Sequence, residues 1–174
     1  FGDTGAGASR AWSNKYPNRA ENAISYTSPS FNGFKFGGEY GFGEQQKARE
    51  GRYLGLGATY DNGPLSRGLG FDRLNNVEFD DGGTPPVTWQ SDLTTWQLGG
   101  AYNFGVAKLM AFYKQTKAKE IVTGESDKFK TFGLGVTAPV GAAGEVKVAY
   151  NHYRLSPEAG KTDKANQLSL GYVH

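Results

Sequence analysis

Between Asn22 and Glu44 the chain reads NAISYTSPSFNGFKFGGEYGFGE, and the residues that alternate there restrict what it can fold into. Ile24 and Tyr26 share one parity. Beyond a short polar turn carrying Pro29 and Gly33, so do Phe34, Phe36, Tyr40 and Phe42. The opposite parity holds Ala23, Ser25, Thr27, Lys35, Gly37, Glu39 and Gly41. A period of two predicts a β-hairpin with one aromatic face and one face of small or charged residues. A water-soluble sheet turns its large side chains towards a second layer. A transmembrane barrel turns them to lipid and lines a wet interior with small and polar ones.

The same alternation recurs and predicts nine strands. The first spans 19–27 and the second ends near Glu44, followed by the charged loop EQQKAREG. The third, 52–60, sets Leu54, Leu56, Ala58 and Tyr60 against Tyr53, Gly55, Gly57 and Thr59, and DNGP closes it. The fourth, 65–74, carries Leu65, Leu69 and Phe71 on one side, with Arg67 as an exception. The longest connection, 75–92, holds several acids and Pro85-Pro86. Strands at 93–104 (Trp96, Leu98, Tyr102) and 108–117 (Leu109, Ala111, Tyr113) flank a short turn, and a charged connection at 124–127 follows. Three more strands are centred on Phe132 to Ala138, Val146 to Tyr150 and Leu168 to Tyr172. Connections are expected to alternate short and long, and aromatics gather near strand ends. An up-and-down barrel with interfacial girdles has both properties. Residues 1–18 show no periodicity and read as an irregular loop, and the whole of 1–174 reads as a single domain.

Glycine supplies 26 of the 174 residues, and no apolar run approaches the ~18 residues of a membrane helix. That excludes a helical span and leaves a barrel open, because a barrel strand needs only ~10 residues with alternate ones apolar. With no cysteine, disulfides and thiolate metal sites are excluded, and a net charge of +2 with scattered basic residues does not indicate nucleic acid. The histidines, His152 and His174, have no serine and acid fixed beside them, and His152 follows the outward parity of an interfacial ring. The runs GLGFDRLNN and GLGVTAPVG lack the following helix of a nucleotide loop. Glu78, Asp80 and Asp81 read as a solvated loop rather than a calcium site. No cofactor and no catalytic residue is expected.

Taken together, NRAENAISYTSPSFNGFKFGGEYGFGE, GAYNFGVAKLMAFYKQTK and ANQLSLGYVH resemble the Gram-negative general porins, most closely the trimeric beta-proteobacterial type. Phe1-Gly2-Asp3-Thr4 is similar to the tail of the inward-folding third loop of those porins, with one glycine fewer. The resemblance implies a transmembrane antiparallel β-barrel of sixteen strands in the outer membrane. It places these nine as the sixth to the fourteenth, so that the chain reads as partial. It also implies a homotrimer whose partners are outer-membrane lipid, lipopolysaccharide, ions and small hydrophilic solutes.

Inward parity nominates Arg19, Glu21, Lys35, Glu39, Asp61, Asp72, Asn103, Lys114, Lys147 and Asn151 as pore-lining residues. Small inward residues such as Gly55, Gly57, Gly99 and Gly133 are expected to keep the lumen open. The resemblance puts the constriction in the opening loop, where Arg10 and Lys15 join Arg19 and Asp3 is the only acid before Glu21. The expected function is a water-filled channel with a modest anion preference. The alternative is a structural or adhesive barrel with a plugged lumen.

Overall fold

The computed structural model describes residues 22–43, 51–80, 84–85, 88–141, 143–158 and 160–174. Asp3, Arg10, Lys15, Arg19 and Glu21 lie outside the described residues. Among those described there are nine strands: β1 (Ala23–Thr27), β2 (Phe34–Gly41), β3 (Tyr53–Asn62), β4 (Leu65–Asp80), β5 (Thr88–Asn103), β6 (Lys108–Glu120), β7 (Ser126–Val140), β8 (Gly144–Ser156) and β9 (Asp163–Val173). Each pairs antiparallel with its neighbours in sequence, forming one sheet in the order β1 to β9. Every connection is therefore a hairpin.

Local chemistry sets these hairpins. In the first, Phe31 and Phe34 exchange backbone hydrogen bonds of 2.8 and 2.9 Å across Asn32 and Gly33, whose φ values are 50° and 88°. Two successive positive φ angles give the turn that matches the right-handed twist of its strands, and Asn-Gly is the pair that adopts them. Above it, Ser28 Oγ accepts from the Phe36 N–H at 3.0 Å.

The stretch 75–92 departs from expectation. It is mostly sheet, since β4 continues to Asp80 and β5 begins at Thr88. A bulge between Leu74 and Val77 inserts one residue into β4, with Asn76 at φ 57° and its N–H donating to Asp92 Oδ1 at 3.0 Å. The extra residue breaks the period of two, so strand and loop become indistinguishable by alternation. Likewise β6 runs to Glu120 and β7 starts at Ser126, leaving a connection, 121–125, no longer than the turn 28–33. The expected alternation of short and long connections holds, but with a smaller contrast, since 121–125 is only slightly longer than its neighbours 104–107 and 141–143. The asymmetry resides in the strands: β4 and β5 have 16 residues each, against the ~9–11 that cross a bilayer.

Directly paired residues share a face, so the register sorts every side chain. One face carries Ile24, Phe36, Leu56, Leu69, Leu98, Leu134, Val148 and Leu170. The large apolar residues expected to face outward all lie here, from Leu54 at 37% exposure to Leu170 at 79%. Arg67 shares this face, its guanidinium 4.9 Å from the Tyr60 ring centre. Aromatic pairs occupy both ends of it, with Phe34–Tyr60 at 4.3 Å and Tyr102–Phe104 at 4.6 Å towards the short turns and Trp96–Tyr113 at 5.0 Å further up. The buried residues Leu74, Leu93, Thr95, Thr116, Ala118 and Thr131 all sit on the opposite face, which is therefore the crowded, concave one. Among the described residues its apolar core is Leu74, Leu93 and Ala118, with Tyr53 and Val77 against them. A water-soluble monomer rarely exposes an apolar patch beyond a few hundred Å². Here such a face extends over all nine strands, and lipid is the solvent that matches it.

Candidate pore wall

Register places Lys35, Glu39, Asp61, Asp72, Asn103, Lys114, Lys147 and Asn151 on the concave face, opposite the apolar one. A trough of about 400 Å³ runs along its first five strands, lined by Ser25, Thr27, Lys35, Glu39, Asp72 and Gln97 among others. Charge is distributed unevenly along this face. The acids Glu39, Asp61 and Asp72 stand on β2 to β4 with Lys35, whereas β6 to β9 carry Lys108, Lys114 and Lys147 together with Glu120, Asp127, Glu145 and Asp163. At neighbouring levels of the face, the Asp72 carboxylate on one flank and the Lys114 ammonium on the other set up a field across any water column between them.

Two members of this face escape the sequence reading. Lys108 takes the inward parity because Leu109 points out, and it pairs in register with Asn103. Glu145 lies two residues from Lys147 on the same face and approaches its Nζ to 2.9 Å. Both partners are about half exposed, so the pair is screened, and it reduces Lys147's charge as seen from the trough. The alternation that nominated Lys114 and Lys147 would have found both, had it been carried to the strand ends.

The glycines require a correction. The floor at Gly57 is open, with a carbonyl oxygen at 3.7 Å the only atom a Cβ there would meet. Elsewhere a neighbour already covers the glycine. A Cβ at Gly133 would strike the Phe112 ring and the Asn151 amide, one at Gly55 would sit 2.6 Å from the Tyr53 hydroxyl, and one at Gly70 would sit 3.2 Å from the Gln97 amide nitrogen. These three glycines seat large side chains flat against the wall, so glycine marks packing as often as open lumen. Hydroxyls complete the inner surface: Thr95 and Thr116 share a hydrogen bond of 3.1 Å, and Tyr153 O–H donates to Gln167 Oε1 at 3.1 Å.

His152 is on the outward face, its ring 5.3 Å from Phe132 and its Nδ1 2.7 Å from Asn166 Oδ1. No group of His, Cys, Asp and Glu among the described residues could hold a metal ion. The chemistry available along the concave face is that of a polar, water-accessible surface with separated charge.

A family model described as Gram-negative porin matches residues 1–174. Outer membrane porin protein 32 of Delftia acidovorans is 42% identical over 160 residues, covering 90% of this chain and 42% of its own length. An outer membrane porin protein of Bordetella pertussis is 29% identical over 192 residues, covering 90% of this chain and 48% of its own length. Among solved structures, the anion-selective porin from Comamonas acidovorans aligns with a TM-score of 0.72 at 40% identity, covering 89% of this chain and 44% of that one. The chain spans less than half the length of these relatives. With that match over its full length and an exposed apolar face backed by a polar one on nine antiparallel strands, the chain belongs to the Gram-negative porin family and is an outer-membrane protein.

Proposed function

We propose that this sheet is part of the wall of a water-filled channel that passes ions and small hydrophilic solutes across the outer membrane, with a modest preference for anions. The observation that carries the reading is the two-faced sheet, in which Leu98 faces out at 52% exposure while its neighbours Gln97 and Gly99 face the concave side. On this reading the protein is a channel rather than an enzyme, and Lys35, Glu39, Asp61, Asp72, Asn103, Lys114, Lys147 and Asn151 line the pore.

Away from the strand ends, where Glu120, Asp127 and Asp163 also point inward, the strand charges nearly cancel, because three acids face Lys35, Lys108 and Lys114, and Lys147 is held by Glu145. Selectivity then depends on the opening segment, where Arg10, Lys15 and Arg19 outnumber Asp3. Charge at the narrowest point outweighs charge at the mouths, since low-dielectric walls focus the field within a Debye length of ~8 Å. The relative from Comamonas acidovorans, 40% identical, is named an anion-selective porin, which supports the same sign. A homotrimer and contact with lipopolysaccharide belong to this reading through the family resemblance.

The test is the reversal potential of single channels in a planar bilayer under a salt gradient. The wild type is expected to give the anion-selective sign, and Arg10→Glu with Arg19→Glu should move it towards cations. A cation-selective wild type, or an unmoved double variant, overturns the anion preference. Absence of any conductance step overturns the channel.

A further inference from the structure

The trough along β1 to β5 has a floor of its own. Gly37, Gly57 and Gly70 stand in one register row across β2, β3 and β4, and Thr27 and Gln97 close the two ends of the row. Glycine inside a strand weakens it, and it marks places where another group approaches the backbone closely. At Gly70 that group is the Gln97 amide. At Gly57 a Cβ would meet only the Leu69 carbonyl oxygen, at 3.7 Å, so the middle of the floor is backbone open to the lumen.

Opposite charges stand on the two sides of this floor. One level towards the long connections, register sets Glu39, Gly55 and Asp72 in a row, and the Tyr53 hydroxyl lies over Gly55 between the two acids. Only β3 separates the strands that carry them, which puts their backbones about 10 Å apart. On the other side of the floor Lys35 pairs in register with Thr59, four residues from Glu39 along β2 and so about 13 Å away. Glu145 and Lys147, two residues apart, close into an ion pair. Lys35 and Glu39 are too far apart to do so, and neither has an ion-pair or hydrogen-bond partner among the described residues.

An occupant that satisfies the whole trough carries an ammonium group at one end, a carboxylate at the other, and a linker thin enough to lie on bare backbone. A single amino acid holds its two charges too close together to reach both sides. Two or three extended residues put about 7–10 Å between the terminal charges. Their amide groups then lie beside Gln97, Thr27 and Thr59, which line the same trough. We infer that the trough is a binding site for short zwitterionic peptides, with the peptide's amino terminus between Glu39 and Asp72 and its carboxylate at Lys35. The site deepens the channel reading and rests on it, since that reading is what puts this face in water.

Saturation-transfer NMR on the purified protein in detergent reads binding without requiring conduction. The probes are triglycine, N-acetyl-triglycine, which lacks the ammonium group, triglycine amide, which lacks the carboxylate, and glycine. Triglycine is expected to bind, and each blocked form to bind about tenfold more weakly. Glu39→Gln should weaken triglycine about tenfold and leave the acetylated peptide unchanged, whereas Lys35→Gln should weaken triglycine about as much and leave the amide unchanged. Gly57→Val puts a side chain suited to a strand on the open floor and should abolish binding, so the test survives a charge variant that fails to fold. An acetylated or amidated peptide binding as tightly as triglycine, glycine binding equally well, or undiminished binding by Gly57→Val overturns the inference. Conductance steps in a planar bilayer without triglycine binding overturn the site and leave the channel standing. Binding without any conductance step overturns the channel and leaves the site.

Discussion

Phe112 is the inner-wall residue that composition and parity explain least. It projects into the concave side from β6, against Gly99 in register on β5 and Gly133 on β7. A ring laid over glycines restores contact to backbone that has no side chain of its own. Phe112→Ala should therefore widen the aqueous path and loosen the sheet together, raising single-channel conductance and lowering the unfolding temperature. If both stay at the wild-type value, the ring is not packed as described. Alternation identified Phe112's face but could not foresee its partners, because which glycine lies beside an aromatic depends on cross-strand register. For the same reason Arg67 looked like an exception, when its cationic head rests on Tyr60 of the adjacent strand.

Neighbouring residues of β5 allow a test of the strand as a unit. Leu98 faces the apolar side and Gln97 the concave side, so one substitution placed at successive positions should have opposite consequences. Leu98→Arg should cost about 2–4 kcal/mol in a bilayer, as a charge on the lipid face near the midplane does. Gln97→Arg should leave stability nearly unchanged and shift the reversal potential towards anions. Unfolding midpoints and reversal potentials measured on both variants check the register, since a slip of one residue exchanges the two outcomes. Where alternation was unbroken, as in β3 and β7, the sequence led to the observed faces. It failed at Leu74, because a bulge shifts parity by one, and the polar residues beyond it then resemble a loop.

At the scale of the whole sheet, a buried apolar core of three among the described residues is too small to hold nine strands in water, and the backbone ladder within lipid carries the fold. Face orientation was therefore legible from pattern alone, and the family from the resemblance that the strand sequences carry. Strand ends were not, because beyond the membrane the requirement for alternate apolar residues lapses while hydrogen bonding continues. The 16-residue β4 and β5 illustrate this: their upper ends are sheet that no bilayer surrounds. In the family's barrels the longer connections face outside the cell, so this hairpin projects into the medium as a stiff mast. An antibody approaching such a cell then meets the far ends of β4 and β5 well clear of the bilayer. An epitope tag spliced between Asp80 and Thr88 should stain intact bacteria by flow cytometry, while the same tag between Gly63 and Pro64, at the opposite end of the sheet, should stain only after the envelope is opened.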